Sequence, residues 1–344
     1  MRASNYNKTM TIQPLSTGRP REISVTEAIE PAYERVKQML FRPFNLTKWF
    51  TIGFCAWLAG FGESGGGGGG FNGLNGFNGG NHSSSHPAEE FRHFYFQARD
   101  YVAGNINWIL PVAVIVVVLC VVLWLLIIWL SSRGKFMFLH CVALDVAQVE
   151  VPWKKFARVA NSLFRFRVVV GLIGMVLMLP LLVFIMVCIG RMVLRGEADL
   201  AGVMSVLGLG FGFFLLVLVF GLIHKFMVDF VVPIMFLRGG NCLAAWREFF
   251  ALFTANFWRF VLYVLFQIVL NMVIGMMILL AILVTCCLAG CVMLLPFVGT
   301  VLLLPVLVFK RAYPLYYLAQ HGAQYDVFPA PCGGPPAAPA AVMA

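Results

Sequence analysis

"INWILPVAVIVVVLCVVLWLLIIWL", Ile106 to Leu130, decides the fold. It carries no charge, and about 20 apolar residues in a helix suffice to cross the ~30 Å hydrocarbon layer of a bilayer. Four further apolar runs follow: Val168 to Gly190, Leu200 to Ile223, Phe260 to Val284 and Leu288 to Phe309. A sixth, Leu46 to Phe61, is shorter. With 60% hydrophobic residues, 12% charged residues and a mean hydropathy of +0.86 over 344 residues, the chain holds more apolar surface than a soluble core can hide.

The short run is assigned by the positive-inside rule, under which Lys and Arg near segment ends stay in the cytoplasm. With six crossings, 21 of the 25 basic residues fall on one side, and only Arg92, Arg99, Arg191 and Arg195 on the other. The expected topology has crossings at 46–61, 106–130, 168–190, 200–223, 260–284 and 288–309, with both termini cytoplasmic. Residues 1–23 are polar and lack the apolar core of a cleaved signal, so the first crossing directs insertion. The net charge of +10 then reflects the cytoplasmic bias and attraction to anionic lipid headgroups, and nucleic acid is not required. A bacterial inner membrane is the expected location.

Internal similarity orders the crossings. "WKKFARVANSLFRF" (Trp153 to Phe166) and "WREFFALFTANFWRF" (Trp246 to Phe260) share Trp, a basic residue, Phe, Ala-Asn and Arg-Phe. Their key positions, Trp153, Asn161 and Arg165 against Trp246, Asn256 and Arg259, lie 93 to 95 residues apart. "AYERVKQMLFRPFNLTKWF" (Ala32 to Phe50) repeats the grammar around Trp49. A weaker tail follows each return crossing, as in "KFMVDFVVPIMFLRG" (Lys225 to Gly239) and "KRAYPLYYLAQHG" (Lys310 to Gly322). The expected fold is therefore all-α, with six transmembrane helices as three parallel hairpin repeats. Each repeat is preceded by an amphipathic helix lying in the headgroup region, aromatics toward the apolar boundary and cations toward phosphate.

The interfacial phrase, the entry "LFRPFNLTKWFTIGF" (Leu40 to Phe54) and the glycine-rich stretch Gly62 to Gly80 together resemble a broad set of uncharacterised prokaryotic multi-pass proteins. These are similar to the membrane domain attached to some glycerophosphodiester phosphodiesterases. The resemblance covers about residues 25 to 320 and implies a helical membrane fold. No stretch of this chain has the alternating strand and helix pattern of the catalytic barrel found in such fusions.

Candidate polar residues are few. His224, Lys225 and Asp229 end the fourth crossing, and the Lys and Asp, four apart, can pair on one face. Gln267 and Asn271 are likewise four apart within the fifth. Amides in hydrocarbon seek interhelical hydrogen bonds, and the same pair could line a solute path. Pro111, Pro180, Pro296 and Pro305 predict kinks. "CCLAGC" (Cys286 to Cys291) spaces two thiols by one turn but has no His or acid beside it, and small-residue helix packing explains it. No nucleophile elbow, zinc-protease or phosphate-loop motif occurs, so neither catalysis, metal nor cofactor is expected.

Residues 1–23 and 323–344 read as disordered cytoplasmic tails, and 24–322 as the membrane domain. Within it, 62–104 reads as an outer loop, a glycine-rich slack segment followed by a surface helix. Two function classes fit: a non-enzymatic membrane scaffold or accessory subunit with a membrane protein partner, and a transporter or channel for a small solute. They separate on whether polar residues converge on a water-accessible cavity.

Overall fold

The computed structural model describes residues 23–42, 44–61, 97, 101, 104–195, 200–285 and 296–328. The expected tail 1–22, most of the loop 62–104, the Cys286–Cys291 cluster and residues 329–344 lie outside the described residues. Among those described, all regular structure is helical. Eleven α-helices are used below: α1 (Ile29–Phe41), α2 (Leu46–Gly60), α3 (Ile106–Leu144), α4 (Glu150–Lys155), α5 (Ala157–Arg195), α6 (Leu200–Phe226), α7 (Val232–Arg238), α8 (Cys242–Ala255), α9 (Phe257–Val284), α10 (Pro296–Leu302) and α11 (Leu304–Ala319). A π-helical turn, Met227–Val231, joins α6 to α7 without a break. Among the described residues, four stretches are long and apolar enough to cross a membrane: Asn107–Leu144, Ala157–Met192, Leu200–Arg238 and Phe257–Val284.

These helices outrun their apolar runs. The expected 106–130 crossing continues as helix to Leu144, and 168–190 is the middle of α5. The reason is visible in α3. Beyond Leu130 the residues Ser131, Ser132, Gly134 and Lys135 and then Phe136 to Ala143 are all buried, whereas Leu110 and Val112 to Leu119 are exposed. Protein takes over from lipid as the surroundings, and the backbone hydrogen bonds carry on regardless of which medium surrounds them.

The core is thus a layer at one end of the long helices. Helix α1 offers Ala32, Val36, Met39 and Leu40 to it, at spacings of three to four and so along one face. Arg35 donates to the carbonyls of Val142 (2.9 Å) and Ala143 (2.7 Å) at the end of α3, satisfying acceptors that have no intrahelical partner. Helix α2 begins at Asn45, whose side chain accepts from the amides of Thr47 and Lys48. It runs antiparallel to the buried half of α3: Lys48 pairs with Asp145 at 3.0 Å, the Cys55 and Cys141 sulfurs lie 3.9 Å apart, and Ser131 Oγ donates to Ala59 O at 3.0 Å. Helix α2 therefore packs beside Ser131 to Asp145 rather than beside Ile106 to Leu130.

The chain's other end joins the same layer. Tyr313 OH donates to Val25 O (3.0 Å), Tyr317 OH to Arg259 O (3.1 Å) and Ser24 N to Gln320 Oε1 (2.8 Å). The packed chain also runs past the expected tail boundary at 322. Tyr325 and Val327 are buried, and Phe328 stacks on Tyr316 at 4.2 Å. Where one crossing was expected at 288–309, the described part is two helices joined at Leu303, with Pro305 in the first turn of α11. Pro111 and Pro180 lie inside α3 and α5.

Gly134 brings α3 against the backbone of α2. A Cβ there would lie 2.5 Å from Ala59 N and Leu58 C, backbone atoms that cannot swing aside. Gly134→Ala is expected to cost about 1–3 kcal/mol through this overpacking, whereas Gly221→Ala on α6, with nothing within 4 Å, should not destabilise. Unfolding of the two variants in detergent, followed by circular dichroism, checks the contrast; equal midpoints would refute the α2–α3 contact.

Candidate functional site

Three of the polar residues singled out in the sequence meet. Lys225, in the last turn of α6, and Asp229, in the π turn, form a 2.7 Å ion pair. Lys225 Nζ also donates to Gln267 Oε1 on α9 at 3.3 Å. Gln267 Nε2 donates to Tyr263 OH at 3.1 Å, and Tyr263 OH donates to Asp229 Oδ2 at 2.9 Å. The four side chains close a ring in which every link has a donor and an acceptor. Asp229, Tyr263 and Gln267 are buried, and only Lys225 is about one-third exposed.

The π turn positions Asp229, and Pro233 explains what surrounds the turn. In this turn an amide bonds the carbonyl five residues back, as Val232 N does to Met227 O. The next bond in that pattern would run from residue 233 to Val228 O, but proline has no N–H. Arg311 supplies the donor instead: its Nη1 lies 2.7 Å from Val228 O. Lys310 stands beside it. Burial holds Lys310 below the usual lysine range, the Lys225 cation pushes the same way, and Asp229 pushes back.

Around the ring the packing is aromatic. Phe230 stacks on Phe249 (5.4 Å) and meets Tyr263 edge-on to tilted at 5.0 Å. Tyr263 stacks on Tyr313 at 5.8 Å and lies 4.7 Å from Tyr317. Two cavities among the described residues are apolar and lie apart from the ring, one between α6 and α8, the other lined by Ile189, Met192, Val203, Val206 and Leu207.

Asn271 and His224 do not join the ring. Asn271 Nδ2 bonds its own helix at Gln267 O (2.7 Å), and His224 is half-buried in the turn before Lys225. Tyr263 was missed although its spacing announces it, since 263, 267 and 271 mark one helical face. Arg311 has no sequence signal beyond the missing amide of Pro233.

The interfacial tryptophans turn inward to protein. Trp49 Nε1 donates to Leu40 O (2.8 Å), tying α2 to the end of α1. Trp153 and Trp129 both face the Arg133 guanidinium, 4.9 and 4.7 Å away. Trp246 is buried against Phe166, Phe249 and Phe250. The matched asparagines differ: Asn256 sits at the joint of α8 and α9, whereas Asn161 is exposed within α5. Arg165 and Arg259 are exposed. No group of three or more His, Cys, Asp or Glu poised for a metal occurs among the described residues.

Residues 23–304 match a family described as a family of unknown function, DUF7544. The chain belongs to this family. The DUF7544 match spans α1 through α10 and contains Lys225, Asp229, Tyr263 and Gln267, while Arg311 lies beyond it. No curated protein and no solved structure matches the chain.

The ring sets an order of mutational costs. Asp229→Asn leaves the Lys225 cation without its anion and should cost about 1.5–3 kcal/mol, and Tyr263→Phe about 0.5–1.5 kcal/mol. Asn271→Leu, which removes only a local bond, should cost less than either. Unfolding free energies in detergent micelles check the order; a neutral Asp229→Asn would show that the ring carries no stability.

Proposed function

We propose that the protein is a non-enzymatic membrane scaffold or accessory subunit. The observation that carries this reading is the closed ring of Lys225, Asp229, Tyr263 and Gln267 inside an aromatic layer. A solute path needs polar groups with free valences facing water, and these side chains spend theirs on one another. The same saturation speaks against catalysis, since Asp229 is the only buried acid of the described residues and it is held by a cation and a phenol. What the molecule offers outward is apolar: Val176, Met186, Met272 and Met276 on the long helices are all more than half exposed. Such surface suits lipid and neighbouring membrane helices, and the partner we propose is a membrane protein.

The proposed topology keeps six crossings with both termini cytoplasmic, in a bacterial inner membrane, as three parallel units. Its support is that α1 and α11 share the layer of the α3 end and the α9 start, through Arg35 to Val142 and Tyr317 to Arg259. The order of a shorter helix, an outgoing helix and a returning helix in α1–α2–α3, α4–α5–α6 and α8–α9–α10/α11 supports the repeat. Relation to the membrane domain of glycerophosphodiester phosphodiesterases belongs to the same proposal, as does contact with anionic headgroups through the cytoplasmic cations.

One observation favours the second reading, transport of a small solute: Asp229 and Gln267, remote in sequence, do converge, and Lys225 keeps partial access. The Gln267→Leu/Asn271→Leu variant separates the two. Scaffolding predicts that a stoichiometric protein partner co-purifies equally with wild type and variant, by quantitative mass spectrometry. Proteoliposomes of the purified chain that show solute or proton flux, abolished in the double variant, would overturn it.

A further inference from the structure

Two thiols meet in the layer where α2 packs on α3. Cys55 of α2 and Cys141 of α3 are both free and fully buried, and their sulfurs lie 3.9 Å apart although the residues are 86 positions apart in the chain. Cys141 Sγ also lies 3.8 Å from Gln148 O in the segment after α3. The register of the pair is fixed from both sides. Ser131 Oγ donates to Ala59 O on one side of it and Lys48 pairs with Asp145 on the other, while Gly134 lets the two backbones touch. Among the described residues, Cys120, Cys188 and Cys242 make no contact with another thiol.

A disulfide holds its sulfurs about 2.04 Å apart, so this pair has to close by about 1.9 Å. Shared between two side chains that each turn about the Cα–Cβ bond, that is about 1 Å per sulfur, and neither helix has to leave the other. Access is one helix deep. Helix α2 covers Cys141 and is itself exposed along one face, at Leu46, Phe50 and Phe54. An element covered on one side only opens more readily than a core helix, and each opening presents both sulfurs to a small uncharged reagent.

We propose that Cys55 and Cys141 are a modification site for hydrogen peroxide, whose product is a disulfide tying α2 covalently to the buried half of α3. The step balances in two stages. One thiolate attacks the peroxide, the O–O bond breaks, and a sulfenic acid is left with a hydroxide that takes up the thiol's proton to become water. The second thiol then attacks the sulfenic sulfur, the S–S bond forms, and the hydroxyl leaves with that thiol's proton as another water. Each thiol gives up one hydrogen and the peroxide ends as two waters. A partner sulfur in contact diverts the sulfenic acid from the irreversible sulfinic stage. The link closes a long loop that includes the whole stretch Gly62 to Gly80, and long loops are where a cross-link constrains the unfolded chain most. On the cytoplasmic face proposed above, such a pair rests reduced and its disulfide is a transient response to oxidant. The pair serves a scaffold and a transporter alike, since it needs only the packing of α2 on α3.

The test uses the full chain, purified reduced in detergent micelles and exposed to hydrogen peroxide while folded. The sample is then alkylated with N-ethylmaleimide in denaturant and digested without reductant. Mass spectrometry should find the peptides carrying Cys55 and Cys141 linked, two hydrogens lighter than their sum, and dithiothreitol should separate them. By circular dichroism the oxidised wild type should unfold at a higher temperature than the reduced protein, and the difference should vanish in Cys55→Ala. Where that variant does not fold, the linked peptide of the wild type decides alone. Peroxide treatment that leaves both thiols open to the maleimide, or carries them unlinked to sulfinic acid, overturns the proposal. So does a link from either residue to a different cysteine, or one that appears only when peroxide is added to the unfolded chain.

Discussion

Cations do not enter hydrocarbon unless something pairs with them, and this restriction sets the depth at which every other feature lies. Ser131, Ser132, Arg133 and Lys135 follow directly on the charge-free run Ile106 to Leu130. On the neighbouring helix α5, Arg167 donates to Ser131 and Ser132 at 3.1 and 3.2 Å. Lys225 plays the corresponding part on α6. Above this level the helices present apolar side chains to their surroundings; below it, helices of mixed composition bury one another. The molecule is therefore stabilised in two different ways along a single helix. The upper lengths rely on backbone hydrogen bonding in a medium that offers no competitor, and the lower lengths on close packing.

That division explains what the sequence disclosed and what it hid. Charge-free runs such as Ile106 to Leu130 announce spans because nothing else in a protein of this size tolerates them. The lower layer is written in a weaker script. "FMFLHCVA" (Phe136 to Ala143) is apolar but follows two cations, and so reads as a tail lying on a headgroup surface. Only the arrival of α2, brought within backbone contact by Gly134, turns it into core. The same holds for Trp246, whose periodic neighbours fit an interfacial helix equally well until Phe166 of α5 is seen to pack on its ring. Periodicity reports which face is apolar, and it is silent on whether protein or lipid covers that face.

The polar ring was half legible for a related reason. Spacing within one helix pairs Lys225 with Asp229 and aligns Gln267 with Asn271, yet it says nothing about which helices face each other. Asn271 illustrates the limit: it shares a face with Gln267 and still turns to its own backbone. Tyr263 completes the circuit because an aromatic layer at this depth brings a phenol where a purely aliphatic one would not. A network so closed rigidifies the junction of α6, α9 and α11 and has little left to exchange with solvent.

The bond from Arg311 to Val228 O joins residues 83 positions apart in the chain. During synthesis at ~5–20 residues per second the carbonyl waits about 4–17 s for its donor. The wait at the amino end is longer still, because Val25 O is met by Tyr313, 288 positions on. Spans can enter the bilayer one after another as they emerge, but the layer beneath them closes only when α11 arrives. Assembly of this protein is accordingly ordered in time, insertion first and consolidation once α11 has emerged, with the intermediate holding an unsatisfied carbonyl and an open aromatic face at the membrane surface.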